Sequence, residues 1–300
     1  MKKITFTAMV LAVAALFAAC TKDGVYNPKE KISRIYESDS YTYYSSDYSN
    51  SYTTPKHLTE LWHWDDNLLN SIDYYNEDGS LSYTYDFSYD GKRLSRADIY
   101  ASSSYTEFTY DGRKLKKFES YYRGTLEETG TVTYDGNKVS KIEFMSFDKK
   151  GAKDNKYIKS QADLLNLIVP NFDKNEYMKN IATKGTETWT VKFTWDGKNV
   201  SKTETIEGSA RRIIDYEYDN NKNPYNGFIL ADDIVLWGSA NNITKRNVVT
   251  QYSDGTESRV YNYNYNYDGK WPTMQSYNYA YNGDGYSYSG TYITYFEYDD

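Results

Sequence analysis

Side chains able to do nucleophilic, redox or metal chemistry are few in this 300-residue chain, which has one cysteine, Cys20, and two histidines, His57 and His63. It can form no internal disulfide, and a zinc site of about three or four ligands would have to add carboxylates to both histidines. Carboxylates are the one abundant reactive group, with 42 Asp and Glu. A glycosidase needs two of them across one bond, a matter of folded distance that spacing along the chain does not fix. Many of the aspartates recur at one place in a repeat, where an Asp side chain bonds nearby backbone amides and makes turns. Asn282-Gly283-Asp284-Gly285 lacks the spaced acidic ligands and final Glu of an EF-hand and reads as another turn. There is no phosphate loop of the Walker form and no Gly-x-Ser-x-Gly elbow. No catalytic, cofactor or metal residue is assigned.

The elements that carry these residues are polar and aromatic. Mean hydropathy is -0.83, yet 18% of residues are aromatic and 36 are tyrosine. That is too aromatic for a disordered chain and too polar for a helical membrane protein. A net charge of -7 argues against nucleic acid, since phosphate binding needs clustered Lys and Arg.

Residues 1–19 have the parts of an export signal: Lys2 and Lys3, an apolar run from Ile4 to Phe17, then Ala18 and Ala19 before Cys20. The run Leu16-Phe17-Ala18-Ala19-Cys20 resembles a bacterial lipoprotein signal, with Phe17 where that pattern more often has Leu. The resemblance implies cleavage before Cys20, lipidation of Cys20, and a membrane as partner through that lipid. It places the chain in the bacterial cell envelope, with the outer membrane as the expected location. Residues 20–30 then read as the lipidated cysteine and a short tether.

Residues 31–300 carry an internal repeat: an aromatic or Val, any residue, Tyr or Trp, then Asp. It occurs as Trp62-His63-Trp64-Asp65, Phe87-Ser88-Tyr89-Asp90, Phe108-Thr109-Tyr110-Asp111, Val132-Thr133-Tyr134-Asp135 and Phe193-Thr194-Trp195-Asp196. It returns as Tyr216-Glu217-Tyr218-Asp219, Tyr265-Asn266-Tyr267-Asp268 and Phe296-Glu297-Tyr298-Asp299. Gly usually follows the Asp, so each unit reads as a hairpin whose Asp-Gly supplies a turn with positive φ. Downstream come Leu94 and Ala97, Leu115 and Phe118, or Val139 and Ile142. A separation of three breaks strand alternation and predicts a bulge just after each turn.

Two insertions interrupt the units. Residues 155–185 read as helical, with Ser160 and Asp163 as a capping pair before Leu164, Leu165, Leu167 and Ile168, and Pro170 as a stop. The stretch from Asp219 to Lys245 is the most apolar after the signal and is expected to pack inside the sheet or close its end. Two tyrosine-rich tracts, Tyr36–Tyr52 and Tyr261–Tyr295, have one aromatic and one polar strand face; the aromatic face reads as core, against the alternative of a sugar-stacking platform. Trp237 and Trp271, off the repeat register, are the candidate ligand-binding aromatics.

The Tyr-Asp-Gly-x-x-Leu unit resembles the YD repeats of rearrangement-hotspot shells and cell-wall proteins. Together with the lipoprotein signal, Asn223-Pro224-Tyr225 and Asn241-Asn242-Ile243, the chain is similar to uncharacterised Bacteroidota-type lipoproteins, a resemblance that implies an all-β fold and an envelope location but transfers no catalytic residue. The expected architecture is one all-β domain over 31–300: serial antiparallel hairpins in a long twisted meander that curls into an incomplete barrel. The expected function is a non-enzymatic binding or scaffold module for a glycan or a surface protein. The alternative is a carboxylate-dependent glycan hydrolase.

Overall fold

The structure, a computed structural model, describes residues 26, 28–45, 48–100, 102–147, 187–228, 234–253, 255–283 and 286–299. The expected signal, Cys20 and the expected helical insertion over 155–185 lie outside the described residues.

Sixteen antiparallel strands, among the described residues, pair in simple sequence order. They run from β1 (Ile32–Ser45) and β2 (Tyr48–Asp65) through β3 (Leu68–Tyr75), β4 (Leu81–Asp90), β5 (Arg93–Ile99), β6 (Ser104–Asp111), β7 (Lys114–Tyr122) and β8 (Thr125–Asp135). The second half comprises β9 (Lys138–Ser146), β10 (Glu187–Asp196), β11 (Asn199–Glu207), β12 (Ala210–Tyr218), β13 (Ile243–Gln251), β14 (Thr256–Asp268), β15 (Trp271–Gly283) and β16 (Tyr286–Tyr298). One short helix, α1 (Ile234–Gly238), lies between β12 and β13.

The sheet is a closed barrel, which corrects the expectation of an incomplete one. Its seam is the pairing of β1 with β16, from Ile32 opposite Tyr298 to Ser45 opposite Tyr286. The strands at the seam come from the two tyrosine-rich tracts, and they are long. Each is the other's partner, so the backbone groups of both terminal strands are satisfied and no edge remains.

The repeat builds one end of this barrel. Each Asp-Gly turn joins two strands there with positive φ at its first loop residue, as at Gly112; Asp66 holds that conformation in the first unit. The bulge that the spacing requires is on the returning strand. Tyr89 faces Leu94 while Ser88 faces Arg96, which leaves Ser95 as the extra residue. The same shift occurs at Thr109/Tyr110, Thr133/Tyr134 and Thr194/Trp195. Ser95, Ser140 and Ser201 each donate a hydroxyl back across their bulge, to the carbonyls of Ser88, Thr133 and Thr194.

The Tyr or Trp before each Asp ties its hairpin to the preceding one. Tyr89 Oη donates to the Leu69 carbonyl at 2.7 Å, Tyr110 to Leu94 at 2.9 Å, Tyr134 to Leu115 at 2.9 Å and Trp195 Nε1 to Val139 at 2.7 Å. The series closes on itself through Tyr298 to Pro272 and Trp64 to Ile32, both 2.8 Å. A ring with a donor is needed here, which is why the position holds Tyr or Trp where its neighbour two residues back tolerates Phe or Val. Basic residues add a second tie: Arg93, Lys114 and Lys138 donate to the carbonyls of Gly112, Gly136 and Gly197, and lie over the rings of Tyr110, Tyr134 and Trp195. Lys31 repeats the pattern on Asp66 and Trp64.

Alternation then sorts the two faces. Trp62, Ile72, Phe87, Phe108, Phe118, Val132, Ile142, Phe193, Tyr263 and Phe296 point inward and belong to one buried cluster. The outward positions carry ion pairs around the wall: Arg96 with Asp98 at 2.6 Å and Glu107 at 3.2 Å, Lys117 with Glu119 at 2.6 Å, and Lys141 with Glu143 at 3.0 Å. They continue as Arg211 with Glu204 at 2.7 Å, Lys202 with Asp215 at 3.3 Å, and Lys245 with Glu217 at 2.8 Å. A barrel that crosses a bilayer has an apolar band outside, where each Arg or Lys at mid-depth costs about 2–4 kcal/mol. This wall has the opposite arrangement, with its aromatic face inside.

Candidate functional site: a tyrosine-lined cavity under a plug

At the repeat end the segment between β12 and β13 turns into the barrel instead of making a hairpin. Asparagines hold it there. Asn223 Nδ2 donates to the carbonyls of Leu236 at 2.6 Å and Ser239 at 2.9 Å, and its Oδ1 accepts from Tyr225 N at 3.0 Å. Asn199 Oδ1 accepts from the amides of Ala240 and Asn241, and Asp219 accepts from the amides of Asn221 and Asn242. These bonds satisfy a buried, irregular backbone, so the apolar side chains of the segment can fill the lumen. Tyr26 joins them. Tyr26, within the expected tether, is buried, donates to the Pro224 carbonyl at 2.6 Å and packs its ring on Phe228 at 4.9 Å and Trp64 at 5.5 Å.

Beneath this plug is a cavity of about 170 Å³. Its wall is rich in aromatic rings, with Trp62, Tyr74, Tyr263, Tyr277 and Tyr292 from the strands and Tyr225, Phe228 and Trp237 from the plug. Two acids and a guanidinium also line it: Glu37 from β1, Glu60 from β2 and Arg246 from β13. Glu60 Oε2 accepts from Trp62 Nε1 at 2.7 Å. It touches the cavity space but is otherwise enclosed by protein. Burial pushes its carboxyl up to about 8; the Trp62 hydrogen bond opposes this and the nearby Glu37 adds to it. Burial also raises Glu37, against a hydrogen bond with Tyr292 and the charge of His57. Burial raises the phenols of Tyr74, Tyr225, Tyr265 and Tyr277 too, so the cavity presents hydroxyls and not phenolates. Arg246 lies against the rings of Tyr216 and Tyr263, at 5.8 and 5.5 Å from their centroids.

Of the two candidate tryptophans, Trp237 is 5% exposed within α1 and lines the cavity. The asparagine-held plug is what carries it inward. Trp271 begins β15 beside the Asp268 turn, half-buried against Tyr298 at 6.1 Å, and is not in the cavity wall. The structure therefore does not bring the two together. Glu37, Glu60 and Arg246 were missed. A signal for Glu60 was present, because it stands two residues before Trp62 and four before Trp64 and so shares their inward face. Among the described residues no group of His, Cys, Asp and Glu is placed to hold a metal.

No family model and no curated protein matches the chain. Among solved structures, a porin-like protein from Bacteroides vulgatus ATCC 8482 is 11% identical, with a TM-score of 0.46 over 90% of this chain and 99% of its own. A porin-like protein from Bacteroides uniformis ATCC 8492 is also 11% identical, with a TM-score of 0.48 over 92% of this chain and 100% of its own.

Proposed function

We propose that the chain is a lipid-anchored protein of the bacterial envelope whose barrel is a non-enzymatic binding module, taking a small glycan in the cavity beneath the plug. The observation that carries this is the cavity wall itself, where the flat faces and hydroxyl tips of Tyr74, Tyr263, Tyr277 and Tyr292 meet Trp62 and Trp237. Such rings stack on the apolar face of a sugar while their polar ends meet its hydroxyls. The ligand is small because the aromatic faces point inward. A protein partner would have to bind the polar outer wall. Lipidation at Cys20, from the lipoprotein-like signal, keeps the barrel at the membrane while its charged exterior stays in water.

A glycan hydrolase is the second reading, favoured by two carboxylates, Glu37 and Glu60, facing one aromatic cavity. Glycosidases pair a protonated acid with an ionised base or nucleophile, set apart by their environments. Here both carboxyls are raised by the same cause, burial, so their environments do not set an acid and a base apart. Binding without turnover fits better.

A glycan array probed with soluble residues 21–300 tests the proposal. Reproducible hits on one sugar class, weakened by Trp237→Ala, are the expected result. A blank array from folded protein would overturn it, and release of reducing sugar that stops in Glu60→Gln would replace it with the hydrolase.

A further inference from the structure

We infer that the repeat end of the barrel is its membrane-facing end, with the turn cations Lys92, Arg113, Lys198, Lys222 and Lys270 lying on anionic lipid headgroups and the opposite rim presented away from the bilayer. This rests on the lipid anchor of the reading above and adds the surface by which the anchored barrel meets the membrane.

The carrying observation is the place where the chain enters the barrel. Tyr26 is buried in the plug, bonded through its hydroxyl to the Pro224 carbonyl and packed on Trp62, Trp64 and Phe228. Lys31 fixes the following stretch to the same end: its side chain donates to the Asp66 carbonyl, and its own carbonyl accepts from Asp299 N at 2.8 Å. Cys20 stands six residues before Tyr26, a span of at most about 20–22 Å. The wall is hydrogen-bonded strand to strand all the way round, so a chain running outward from Tyr26 has the repeat-end mouth as its exit. The other rim is out of reach. A wall strand such as β4 has ten residues, which at about 3.4 Å each and a tilt of roughly 40° stand about 25 Å high. The way through the lumen is also filled by the aromatic core. A lipid on Cys20 therefore draws the repeat end toward the bilayer.

The turns at that end supply a second, independent feature. Each strand of the repeat closes on its Asp, and the loop beyond it carries Gly and then a tip residue: Lys92, Arg113, Lys198 and Lys270 in four of the hairpins. Lys222 adds a fifth cation in the turn that opens the plug, and all five are exposed. Asp90, Asp111, Asp196 and Asp268 are the last residues of their ladders, one step behind these tips. Asp219 is engaged by the amides of Asn221 and Asn242. The outermost charges of this end are thus positive, on a chain whose net charge is -7. Each Lys or Arg held near an anionic bilayer surface adds about 1 kcal/mol, so the ring converts a point anchor into an orientation.

The test uses the full chain, lipidated at Cys20, on vesicles of phosphatidylcholine and phosphatidylglycerol that contain a lipid with a nitroxide headgroup. Acylation occupies the Cys20 thiol, so Asn67→Cys at a repeat-end turn and Ser253→Cys at the opposite rim each give one free thiol for a fluorophore. Quenching several-fold stronger at position 67 than at position 253 is the expected result. Asn137→Cys, on another repeat-end turn, replaces Asn67→Cys if that chain does not fold. Lys92→Glu, Arg113→Glu and Lys198→Glu together, in a chain with an unchanged melting curve, should shrink the difference; a difference left untouched would overturn the headgroup contact. Equal quenching at the two labels, or stronger quenching at position 253, would overturn the inference while leaving the anchor standing. A wild-type chain that does not stay with the vesicles would overturn the anchor, and this inference with it.

Discussion

The phenol of Tyr110 is used twice: its ring lies beneath Arg93, and its hydroxyl donates to the Leu94 carbonyl, next to the bulged Ser95 of the previous hairpin. Tyr110→Phe keeps the ring and removes the bond, so denaturant unfolding should show a loss of about 1 kcal/mol; no change would mean that the recurring tyrosine is there for bulk alone. Glu60 is the residue through which pH acts. Its carboxyl is at about 8 in the folded chain against an ordinary 4.5, raised first by burial and then by Glu37. Between those values the folded chain holds a proton that the unfolded chain has released. Its contribution to stability is therefore full below about pH 4.5 and is lost as pH rises through 8. Melting curves of Glu60→Gln and wild type should be closest near pH 5 and diverge in the variant's favour toward about pH 9, whereas parallel curves would contradict the burial of this acid. The Tyr-Asp units were legible because hairpin chemistry is local. Glu60 was not, because whether an inward position faces core or cavity depends on strands far away in sequence.

At the scale of elements, neighbouring strands are fitted by size as well as by hydrogen bonds. Gly130 on β8 lies under the ring of Phe118 on β7, its cross-strand partner, and a Cβ built there would stand 1.9 Å from the Phe118 Cζ. Gly130→Ala should cost about 1–3 kcal/mol by overpacking, and Phe118→Leu in the same chain should recover part of it. Strictly additive losses in that double-mutant cycle would contradict the contact. The plug is the other informative element. Its apolar stretch was readable as something that packs inside, and Asn223 and Asn241 stood out in the sequence. What the sequence did not disclose was that these asparagines fold the segment so that Trp237 faces the cavity, since their bonds to Leu236, Ser239 and Asn221 join residues whose proximity only the fold creates.

For the whole molecule, closure was the feature that hairpin reasoning missed. Each unit predicts its neighbour, but nothing local predicts that β1 will meet β16; that depends on the accumulated twist and on these two long strands having matching lengths. Closure in turn decides what the aromatic face is, since it becomes a lumen and the ion-paired face becomes the exterior. That inversion is the central claim, because it separates a barrel that stands beside a membrane and binds a ligand from one that crosses it. The most direct measurement is the partition of residues 21–300, made without residues 1–20, between buffer and vesicles. The account predicts a folded β protein that stays in detergent-free buffer, while the full chain sediments with membranes through Cys20. Insertion of residues 21–300 into the vesicles, resistant to alkaline extraction, would contradict it.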